Sequence, residues 1–572
     1  MGVPFLYRWL TKRHRNIAQR LKKHEVQIYF GGKKRVETLG LDLNGIIHTE
    51  AAKVYLYGDY ETKDARTLAK LAATSAAQLE RQHFQGIGQS IFEMTQLTKP
   101  RDSLFVCVDG PAPFPKLYQQ KQRRFKAKST LVSEGNEYSV HSTEYRSSSV
   151  FDSNCITPGT AFMDRLDEFL EDWLKLNQQL LNVPRIVYSS HRVPGEGEHK
   201  IAEYHRTLNF DPAFAATHTH VVYGLDADLI MIGLLSPQKN YTLLRDDITA
   251  EQGTFYHILD IEGLRQRITN EMGSVQDFVL LTFFAGNDFL PSFPSISIGS
   301  GGLETLIEIY LRGKPQLIKD DGVRVNWEGL QLFMTAFAAE EPLLLENQSK
   351  NNTTYPSVPL AAAMVEAGGI RSFDYERFRS AYYQRALGNK SDEIVHNEEG
   401  LFTTAPLAEE WLAGLAWVFR YYTEGIKNIN CMWTYHFNYV PLAREILATL
   451  TQVIAANEVP HFEWDAIEVR GEVLNPYEQL VSVLPPASQD LLPPSLRFLI
   501  TSPLSPLIDL TPSQFLVDLN GKMKEHEGVA LLPFIDGTRV REAVAQVALS
   551  EREKRLNTIA DDLFLKRYSI PI

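Results

Sequence analysis

The chain has 572 residues, of which 44% are hydrophobic, 11% aromatic and 22% charged, and its net charge is −12. This length exceeds one ordinary hydrophobic core, so we expect two or more domains in a protein of globular composition. No stretch approaches the roughly 20 uninterrupted apolar residues of a membrane span, and the start, MGVPFLYRWLTKRHR, lacks the apolar segment and cleavage site of a secretory signal.

Basic residues are segregated along the chain, although the net charge alone would argue against a nucleic-acid partner. Residues 1–35 contain ten Lys or Arg and one acid, Glu25, and residues 116–128 contain six more and no acid. The sequence KKR at 33–35 is open to two interpretations, a nuclear localisation signal or a phosphate-binding surface.

The cysteines indicate the redox environment. Cys107, Cys155 and Cys431 are widely spaced and form no CxxC pair, which argues against a zinc knuckle and a disulfide framework. They fit a reducing compartment, so we expect an intracellular protein, with the cytoplasm favoured over the nucleus.

Strand-like apolar runs alternate with helical stretches over residues 1–345, a pattern typical of an α/β domain. Residues 66–97 predict one long helix, interrupted near Gly86 and Gly88. The polar, Ser-rich residues 129–150 predict a mobile loop or an excursion from the fold, and residues 160–178 predict a further helix.

Three parts are predicted along the chain. Residues 1–345 form an α/β domain that carries a metal site and a phosphate pocket, and residues 346–400 form a linker or insert that begins with the polar sequence ENQSKNNTTYPSV. Residues 401–572 form a second, more aromatic region that completes the active-site pocket and ends in a charged, helical tail.

Acidic residues of the first part each follow a short apolar run; they are Asp42, Asp109, Glu196, Glu198, Asp226, Asp228 and Asp288. A helix N-cap or a turn is the simpler interpretation of any one of them. Seven such residues favour a shared crevice at the carboxyl ends of buried strands. Such a cluster would repel itself unless Mg²⁺ or Mn²⁺ occupied it, and it predicts two-metal hydrolysis of a phosphodiester.

Asp226 and Asp228 are two residues apart, and on a strand end they would point the same way and share ions. One metal would activate a water for in-line attack on phosphorus, and the other would stabilise the leaving 3′ oxygen. We expect two Mg²⁺ ions, with Mn²⁺ as a substitute.

A basic helix follows the second acid. Pro115 suits a first helical turn, and four polar side chains, at i, i+4, i+7 and i+8, share one face of that helix; they are Lys116, Gln120, Arg123 and Arg124. A solvated basic helix is the alternative, but proximity to Asp109 favours a pocket for a terminal phosphate, which arginines bind in bidentate fashion. Holding a 5′ phosphate beside the metals would produce processive removal of single nucleotides, and a closed pocket would exclude a cap or a triphosphate.

The aromatic residues of the second region are open to more than one interpretation. Trp417, Tyr421 and Tyr422 have helical spacing and are expected in the core. The denser cluster around Trp433 fits base stacking, which holds single strands without reading sequence. Asn44 has two equal interpretations, a phosphate or water ligand, or simply a turn before Gly45.

Several long strings resemble the Xrn/Rat-type family of eukaryotic 5′→3′ exoribonucleases and run from the start to about Asp536. They are MGVPFLYRWL, LDLNGIIH, VDGPAPFPKLYQQKQRRF, FDSNCITPGTAFM, VPGEGEHKI, YGLDADLIMIGL, FFAGNDFLP, AWVFRYYTEGI, PYEQLVSVLPPASQDLLPPS and DLNGKMKEHEGVALLPFID. The resemblance implies a compact form without the long C-terminal extension. It also implies an α/β fold of the PIN/flap-nuclease type, with a central mixed sheet flanked by helices and a second helical, aromatic region packed against it.

The resemblance further implies that the seven acids are the catalytic metal-site residues and that Lys116, Gln120, Arg123 and Arg124 bind the 5′ monophosphate. It implies base stacking by His48, whose partner would be Trp433, although the spacing around Trp433 differs from the family's usual form. The implied function is Mg²⁺-dependent, processive 5′→3′ degradation of single-stranded, 5′-monophosphorylated RNA to mononucleotides, in RNA decay or processing.

Two alternatives remain open at this point. A flap-type, structure-specific DNA endonuclease would use a similar carboxylate arrangement, and 2′-hydroxyl contacts are not legible in a sequence. A non-catalytic RNA-binding scaffold would have lost acids, whereas all seven are present.

Overall fold

The computed structural model describes residues 3, 5–33, 35–143, 151–208, 218–247, 254–351, 353–387, 404–456, 471–560 and 566–569. Its strands are β1 Ala18–Lys22, β2 Val36–Asp42, β3 Ser103–Cys107, β4 Thr130–Glu134, β5 Tyr138–Ser142, β6 Arg185–Ser189, β7 Thr219–Tyr223, β8 Tyr241–Asp246, β9 Phe255–Asp260, β10 Met364–Ala367, β11 Ile370–Phe373, β12 Gln514–Asp518, β13 Val529–Leu531 and β14 Lys566–Ser569.

The α-helices of the first 345 residues are α1 Leu6–Arg13, α2 Lys23–Ile28, α3 Leu43–Tyr55, α4 Ala65–Ala73, α5 Ala76–Thr98, α6 Phe114–Lys128, α7 Ala161–Leu176, α8 Gln178–Leu181, α9 Gly197–Thr207, α10 Asp228–Leu235, α11 Ile261–Met272, α12 Val275–Thr282, α13 Gly302–Gly313 and α14 Trp327–Ser349, which runs slightly beyond them. The later helices are α15 Val358–Ala363, α16 Tyr375–Leu387, α17 Ala405–Glu424, α18 Ala443–Ala455, α19 Pro476–Val483, α20 Phe498–Thr501, α21 Gly537–Ala545 and α22 Glu551–Leu556.

A central mixed sheet has the strand order β1-β9-β8-β7-β2-β3-β6-β14. Its five middle strands are parallel, and antiparallel strands close both ends. The middle strands β3 and β7 are buried along their whole length, as expected for parallel strands covered on both faces. The α/β, PIN-like fold is confirmed, with a central mixed sheet between helices.

The carboxyl ends of the middle strands lie at one level. Asp42 of β2 pairs with Cys107 of β3, Cys107 pairs with Ser189 of β6, and Leu41 pairs with Tyr223 of β7. Loops that leave four adjacent strands therefore start side by side at one edge of the sheet, where open α/β sheets bind ligands.

The predicted helix at 160–178 is confirmed as α7, and its N-cap Thr160 accepts a hydrogen bond from the Met163 amide at 3.3 Å. The predicted interruption of residues 66–97 near Gly86 and Gly88 is wrong. The break between α4 and α5 lies at residues 74–75, and α5 continues through both glycines.

Of the two interpretations of residues 129–150, the mobile loop is wrong for residues 130–142, because they form an excursion with regular structure, the hairpin of β4 and β5. Residues 144–150 lie outside the described part of the chain. The hairpin belongs to a four-stranded antiparallel sheet of order β13-β12-β5-β4. Two of these strands come from the first part and two from the second region. Next to this sheet, the Lys121 ammonium of α6 donates to the carbonyl oxygens of Leu510 and Pro533, at 2.7 and 2.9 Å.

The expected insert, 346–400, contains regular structure where it is described, namely α15, the hairpin of β10 and β11, and α16. A single apolar cluster contains Ile230 and Leu290 of the first part together with Leu412 and Trp417 of α17. The second region is therefore packed against the first through shared core. Among the described helices, none is long and apolar enough to cross a membrane.

Candidate active site

Six of the seven predicted acids lie on loops or helix starts that follow the middle strands. Asp42 ends β2, and Asp109 follows β3 by two residues. Glu196 and Glu198, at the start of α9, follow β6. Asp226 and Asp228 follow β7. The order β6-β3-β2-β7 therefore assembles them at adjacent strand ends.

Two local predictions about these acids are wrong. Asp226 and Asp228 do not share a strand end, because β7 ends at Tyr223 and Asp228 is the first residue of α10. The apolar run before Asp288 is not a strand either, because its residues form α12 and a 3₁₀ turn that ends at Ala285. Asp288 thus approaches the site from the helical layer.

Asp42, Asp109 and Glu198 form the tightest group, with one carboxylate oxygen of each residue within 4.8 Å of the others. The Asp42 Oδ1 atom is buried and has no hydrogen-bond partner among the described residues. Asp109 is held from two sides, since its amide donates to Asn44 Oδ1 at 3.1 Å and its Oδ1 accepts from the Gly197 amide at 2.8 Å. Asn44 therefore fixes the loop that carries Asp109.

Glu196, Asp228 and Asp288 surround the second part of the site. The Lys116 ammonium pairs with the carboxylate of Glu196 and donates to Asp288 Oδ2 at 2.7 Å. Two tyrosine hydroxyls from α17 also reach this group. Tyr421 donates to Glu196 Oε1 at 3.2 Å, and Tyr422 donates to Asp228 Oδ1 at 2.5 Å.

The two tyrosines are buried, as expected from their helical spacing, but their contact with the acids was not predicted. The aromatic pattern of α17 indicates which face of the helix is buried, but it does not indicate which group a tyrosine hydroxyl will contact. A pair of tyrosines among Trp and Phe on a core face was the available signal, because a buried tyrosine hydroxyl requires a polar partner.

The electrostatics of the site reflect burial and like charge. Burial, followed by Asp109 and Asp226, raises the pKa of Asp42 well above its ordinary value. Burial, followed by Glu196 and Asp42, does the same to the pKa of Glu198. Burial and the nearby Asp288 raise the pKa of Asp228 to about 7. The protein alone therefore carries more negative charge at this point than it readily holds.

Lys116 offsets part of that charge. Burial alone would lower the pKa of Lys116, but the carboxylates of Asp288 and Glu196 raise it well above its ordinary value. Burial would likewise raise the pKa of Asp288, and the Lys116 ammonium holds it below its ordinary value instead. One ammonium cannot balance the remaining carboxylates, so the site retains an excess of acid.

These residues fit a divalent cation. Carboxylate oxygens are the ligands that Mg²⁺ and Mn²⁺ prefer, and Asp42 Oδ1 is available because no described group bonds to it. Space is kept open by Gly197, since a Cβ atom there would lie 2.7 Å from Asp42 Oδ1 and 3.5 Å from Asp109 Oδ1. The acidic cluster is therefore compatible with a divalent metal.

The predicted basic face lies on α6, beside the acids. Lys116, Gln120 and Arg124 are buried, and Arg123 is exposed. The Arg124 guanidinium donates to Thr157 Oγ1 at 2.9 and 3.0 Å and to Gln120 Oε1 at 3.2 Å. Burial, followed by the charge of Arg123, lowers the pKa of Arg124 to about 9.

The two predicted stacking residues lie in different surroundings. His48 is on α3, and burial followed by the charges of Arg123 and Arg124 lowers its pKa to about 4, so its ring is neutral at neutral pH. Trp433 is half-buried and stacks on Trp417, with ring centroids 5.5 Å apart. Their pairing around a base stays a prediction.

Two family models match most of the chain. Residues 1–247 match the family model described as XRN 5′-3′ exonuclease N-terminus, and residues 270–366 and 374–570 match the one described as Xrn1 helical domain.

Similar curated proteins carry related names. The chain is 28% identical to 5′-3′ exoribonuclease 1 of Homo sapiens over 97% of its own length and 35% of that protein. It is 26% identical to 5′-3′ exoribonuclease 1 of Schizosaccharomyces pombe, over 98% of its length and 50% of that protein. It is also 26% identical to 5′-3′ exoribonuclease 2 of Debaryomyces hansenii, over 98% of its length and 70% of that protein. The chain thus spans half or less of the first two relatives.

The matched segments include every strand that delivers an acid to the site, the basic helix and the tyrosine-bearing helix α17. Together they account for almost all of the described structure, and the resemblance expected from the sequence is confirmed: the chain belongs to the XRN 5′-3′ exonuclease family.

Proposed function

We propose that the protein is a Mg²⁺-dependent, processive 5′→3′ exoribonuclease that degrades single-stranded RNA with a 5′-monophosphate and releases mononucleotides. The observation that carries the proposal is that Lys116 joins the basic face to the acidic cluster. This residue lies on the basic face of α6 and pairs with two site acids, Glu196 and Asp288. A phosphate on that face would lie directly beside the acidic cluster.

The acids divide naturally between two cations. Asp42, Asp109 and Glu198 would hold one ion, and Glu196, Asp228 and Asp288 would hold the other, with Asp226 next to the first group because its charge raises the pKa of Asp42. When bound, Mg²⁺ or Mn²⁺ supplies a water of lowered pKa and stabilises charge on the phosphate and the leaving oxygen. By setting where the cations bind, the acids would fix the position of the scissile phosphate relative to the attacking water.

The basic face would bind the terminal phosphate. Arg123 and Arg124 are close enough for the charge of one to lower the pKa of the other, and a phosphate dianion would relieve that repulsion. Gln120 and Thr157 hold the Arg124 guanidinium in one orientation. A fixed guanidinium recognises the geometry of phosphate oxygens, which distinguishes a 5′-monophosphate from a 5′-hydroxyl.

Direction and processivity follow from this arrangement. If the end of the chain is held at Arg123 and Arg124 while hydrolysis occurs at the next phosphodiester, each cleavage releases one nucleotide. It leaves a new 5′-monophosphate on the shortened RNA, so the product is again the substrate. His48, neutral beside the cations, and Trp433 would stack on bases without reading their identity.

The test uses RNA labelled at its 3′ end and carrying a 5′-monophosphate, a 5′-hydroxyl or a cap, with a DNA strand of the same sequence. The full chain should degrade the 5′-monophosphorylated RNA in the presence of Mg²⁺ and not in EDTA. Asp226→Ala should lose most of this activity and still bind the RNA, as measured by fluorescence anisotropy. Parental activity in Asp226→Ala would contradict the metal assignment.

A second arm tests the phosphate pocket. Because Arg123 is exposed, Arg123→Ala should leave the thermal midpoint unchanged and reduce the preference for 5′-monophosphate over 5′-hydroxyl by about tenfold or more. Arg371→Ala, which removes an exposed arginine from β11, is the matched control and should keep the preference. Preferential cleavage of DNA flaps would favour the endonuclease alternative, and binding of RNA without Mg²⁺-dependent cleavage would favour the scaffold.

A further inference from the structure

Two adjacent tyrosines of the second region contact acids of the first. Tyr421 and Tyr422 lie in the last turn of α17, and both are essentially inaccessible to solvent. Their hydroxyls donate to Glu196 Oε1 at 3.2 Å and to Asp228 Oδ1 at 2.5 Å, across 225 and 194 residues of sequence. These acids come from two different strand-to-helix loops.

We propose that Tyr421 and Tyr422 are positioning residues that hold Glu196 and Asp228 in the orientation required by divalent cations. This inference rests on the proposed metal-dependent nuclease function. Its consequence is that the second region completes the metal site itself.

Both rings are held in place from several sides. The His199 ring stacks on Tyr421, with centroids 3.8 Å apart, and meets the edge of Tyr422 at 5.2 Å. His199 is on α9, next to Glu198 and in the helix that Glu196 precedes. The two tyrosines therefore also contact the first turn of α9, the helix that Glu196 precedes.

The surrounding phenylalanines restrict the rings further. Phe289 lies edge-on to Tyr421 at 5.7 Å, and Phe283 lies against Tyr422 at 5.4 Å. Phe289 directly follows the acid Asp288, so this packing ties a third ligand-bearing segment to α17. Because the surrounding rings fix each tyrosine ring, they also fix the position of its hydroxyl relative to the carboxylate that accepts the hydrogen bond.

The chemical effect follows from which oxygens are engaged. Tyr421 engages Oε1 of Glu196, while the other oxygen, Oε2, faces the Lys116 ammonium. Tyr422 engages Oδ1 of Asp228. A carboxylate held at one oxygen presents the other in a defined place, and hydrogen bonds that orient metal ligands typically contribute 10–100-fold in metal affinity or activity, as a rough guide.

The experiment measures metal binding directly. Tyr421→Phe and Tyr422→Phe each remove one oxygen atom and keep the ring. We expect each variant to need about 10–100-fold more Mn²⁺ for half-saturation. Electron paramagnetic resonance of free Mn²⁺ measures this binding. Affinity for a 5′-monophosphorylated RNA in EDTA should stay at the parental value, because the basic face is untouched.

Tyr383→Phe is the matched control. Tyr383 is a buried tyrosine whose hydroxyl donates to a carboxylate, Glu445 Oε2, at 3.0 Å, away from the seven acids. It should bind Mn²⁺ like the parent, whatever it loses in stability. If Tyr383→Phe and Tyr422→Phe lose Mn²⁺ affinity equally, general destabilisation explains the loss and the inference is overturned.

The remaining outcomes separate the inference from the function on which it rests. Parental Mn²⁺ binding in both Tyr421→Phe and Tyr422→Phe overturns the inference and leaves the proposed function intact. A parent protein that binds no Mn²⁺ overturns both. If either variant unfolds near the assay temperature, the rise in thermal midpoint caused by Mg²⁺ replaces the binding curve: a parental rise overturns the inference, and a lost rise supports it.

Discussion

Asp42 shows how the active site and the stability of the protein oppose each other. It ends β2 and occupies the N-cap position of α3, but its side chain makes no capping hydrogen bond. One of its oxygens is buried without a partner, and burial with two nearby carboxylates raises its pKa well above the ordinary value. The ionised side chain is therefore unfavourable in the protein alone, and a bound cation would offset that cost.

Asp42→Asn should therefore stabilise the metal-free protein and abolish most of its activity. The amide removes one buried charge and can donate to the neighbouring carboxylates, which we expect to stabilise by about 1–3 kcal/mol. Thermal unfolding in EDTA measures the first effect, and RNA degradation in Mg²⁺ measures the second. In Mg²⁺ the order of stability should reverse, and a variant that is less stable than the parent in EDTA would contradict this account.

Sequence patterns located the acids as candidates because each one follows an apolar run, which is a local feature, and six of them do lie where the middle strands end. They did not resolve Asn44, for which two interpretations were equal, and its contact with the Asp109 amide is a third. That hydrogen bond joins the first turn of α3 to the loop after β3, 65 residues further along the chain. Local sequence contains no information on which of several nearby backbone groups a side chain will reach.

At the scale of elements, α5 illustrates why two glycines misled the sequence analysis. A glycine inside a helix usually weakens it, by about 1 kcal/mol relative to alanine. In α5 the glycines allow close packing instead, since a Cβ at Gly88 would lie 2.6 Å from Trp173 Nε1 on α7, and one at Gly86 would lie 2.6 Å from Glu50 Oε2 on α3. The helix continues because its neighbours need the space.

Gly88→Ala should consequently destabilise the protein by about 1–3 kcal/mol, because the Trp173 ring cannot move aside as a flexible side chain would. Gly45→Ala is the control, since Gly45 lies in α3 with nothing within 4 Å of a Cβ atom. That change should stabilise by up to about 1 kcal/mol through helix propensity. Denaturant unfolding of both variants measures the difference, and equal effects would refute the packing argument.

The hairpin of β4 and β5 was missed for a related reason. Every residue of β4 is exposed, so its sequence, TLVSE, has no apolar alternation to indicate a strand. The hairpin forms because β12, from the second region, pairs with β5 from Gln514↔Ser142 to Asp518↔Tyr138. A strand stabilised by a partner more than 370 residues away leaves little local signal.

At the scale of the whole molecule, the two regions behave as one structural unit. Leu290 and Leu412 lie in one buried cluster, and the close approach of α17 depends on Gly414, where a Cβ would lie 2.6 Å from Leu290 Cδ2. Two further contacts join the regions, namely the four-stranded sheet and the hydrogen bonds of Lys121.

We therefore expect one cooperative unfolding transition for the full chain, with coincident midpoints by far-ultraviolet circular dichroism and by tryptophan fluorescence. Leu412→Ala, a buried change in α17, should lower that midpoint through a loss of about 2–5 kcal/mol. Hydrogen exchange should then rise in the central strand β2 as well as in α17. Two separated transitions, or exchange that rises in α17 alone, would show that the regions unfold independently.

The positions along the chain of these contacts between the two regions have a consequence for biosynthesis. The seven acids and the basic helix emerge from the ribosome with the first 288 residues, but the carbonyl groups that bind Lys121 lie at 510 and 533 and the orienting hydroxyls at 421 and 422. Because domains can begin to fold during synthesis, much of the first region can form before the second region is made. The contacts described above are complete only after α17 and the residues up to Pro533 have been synthesised.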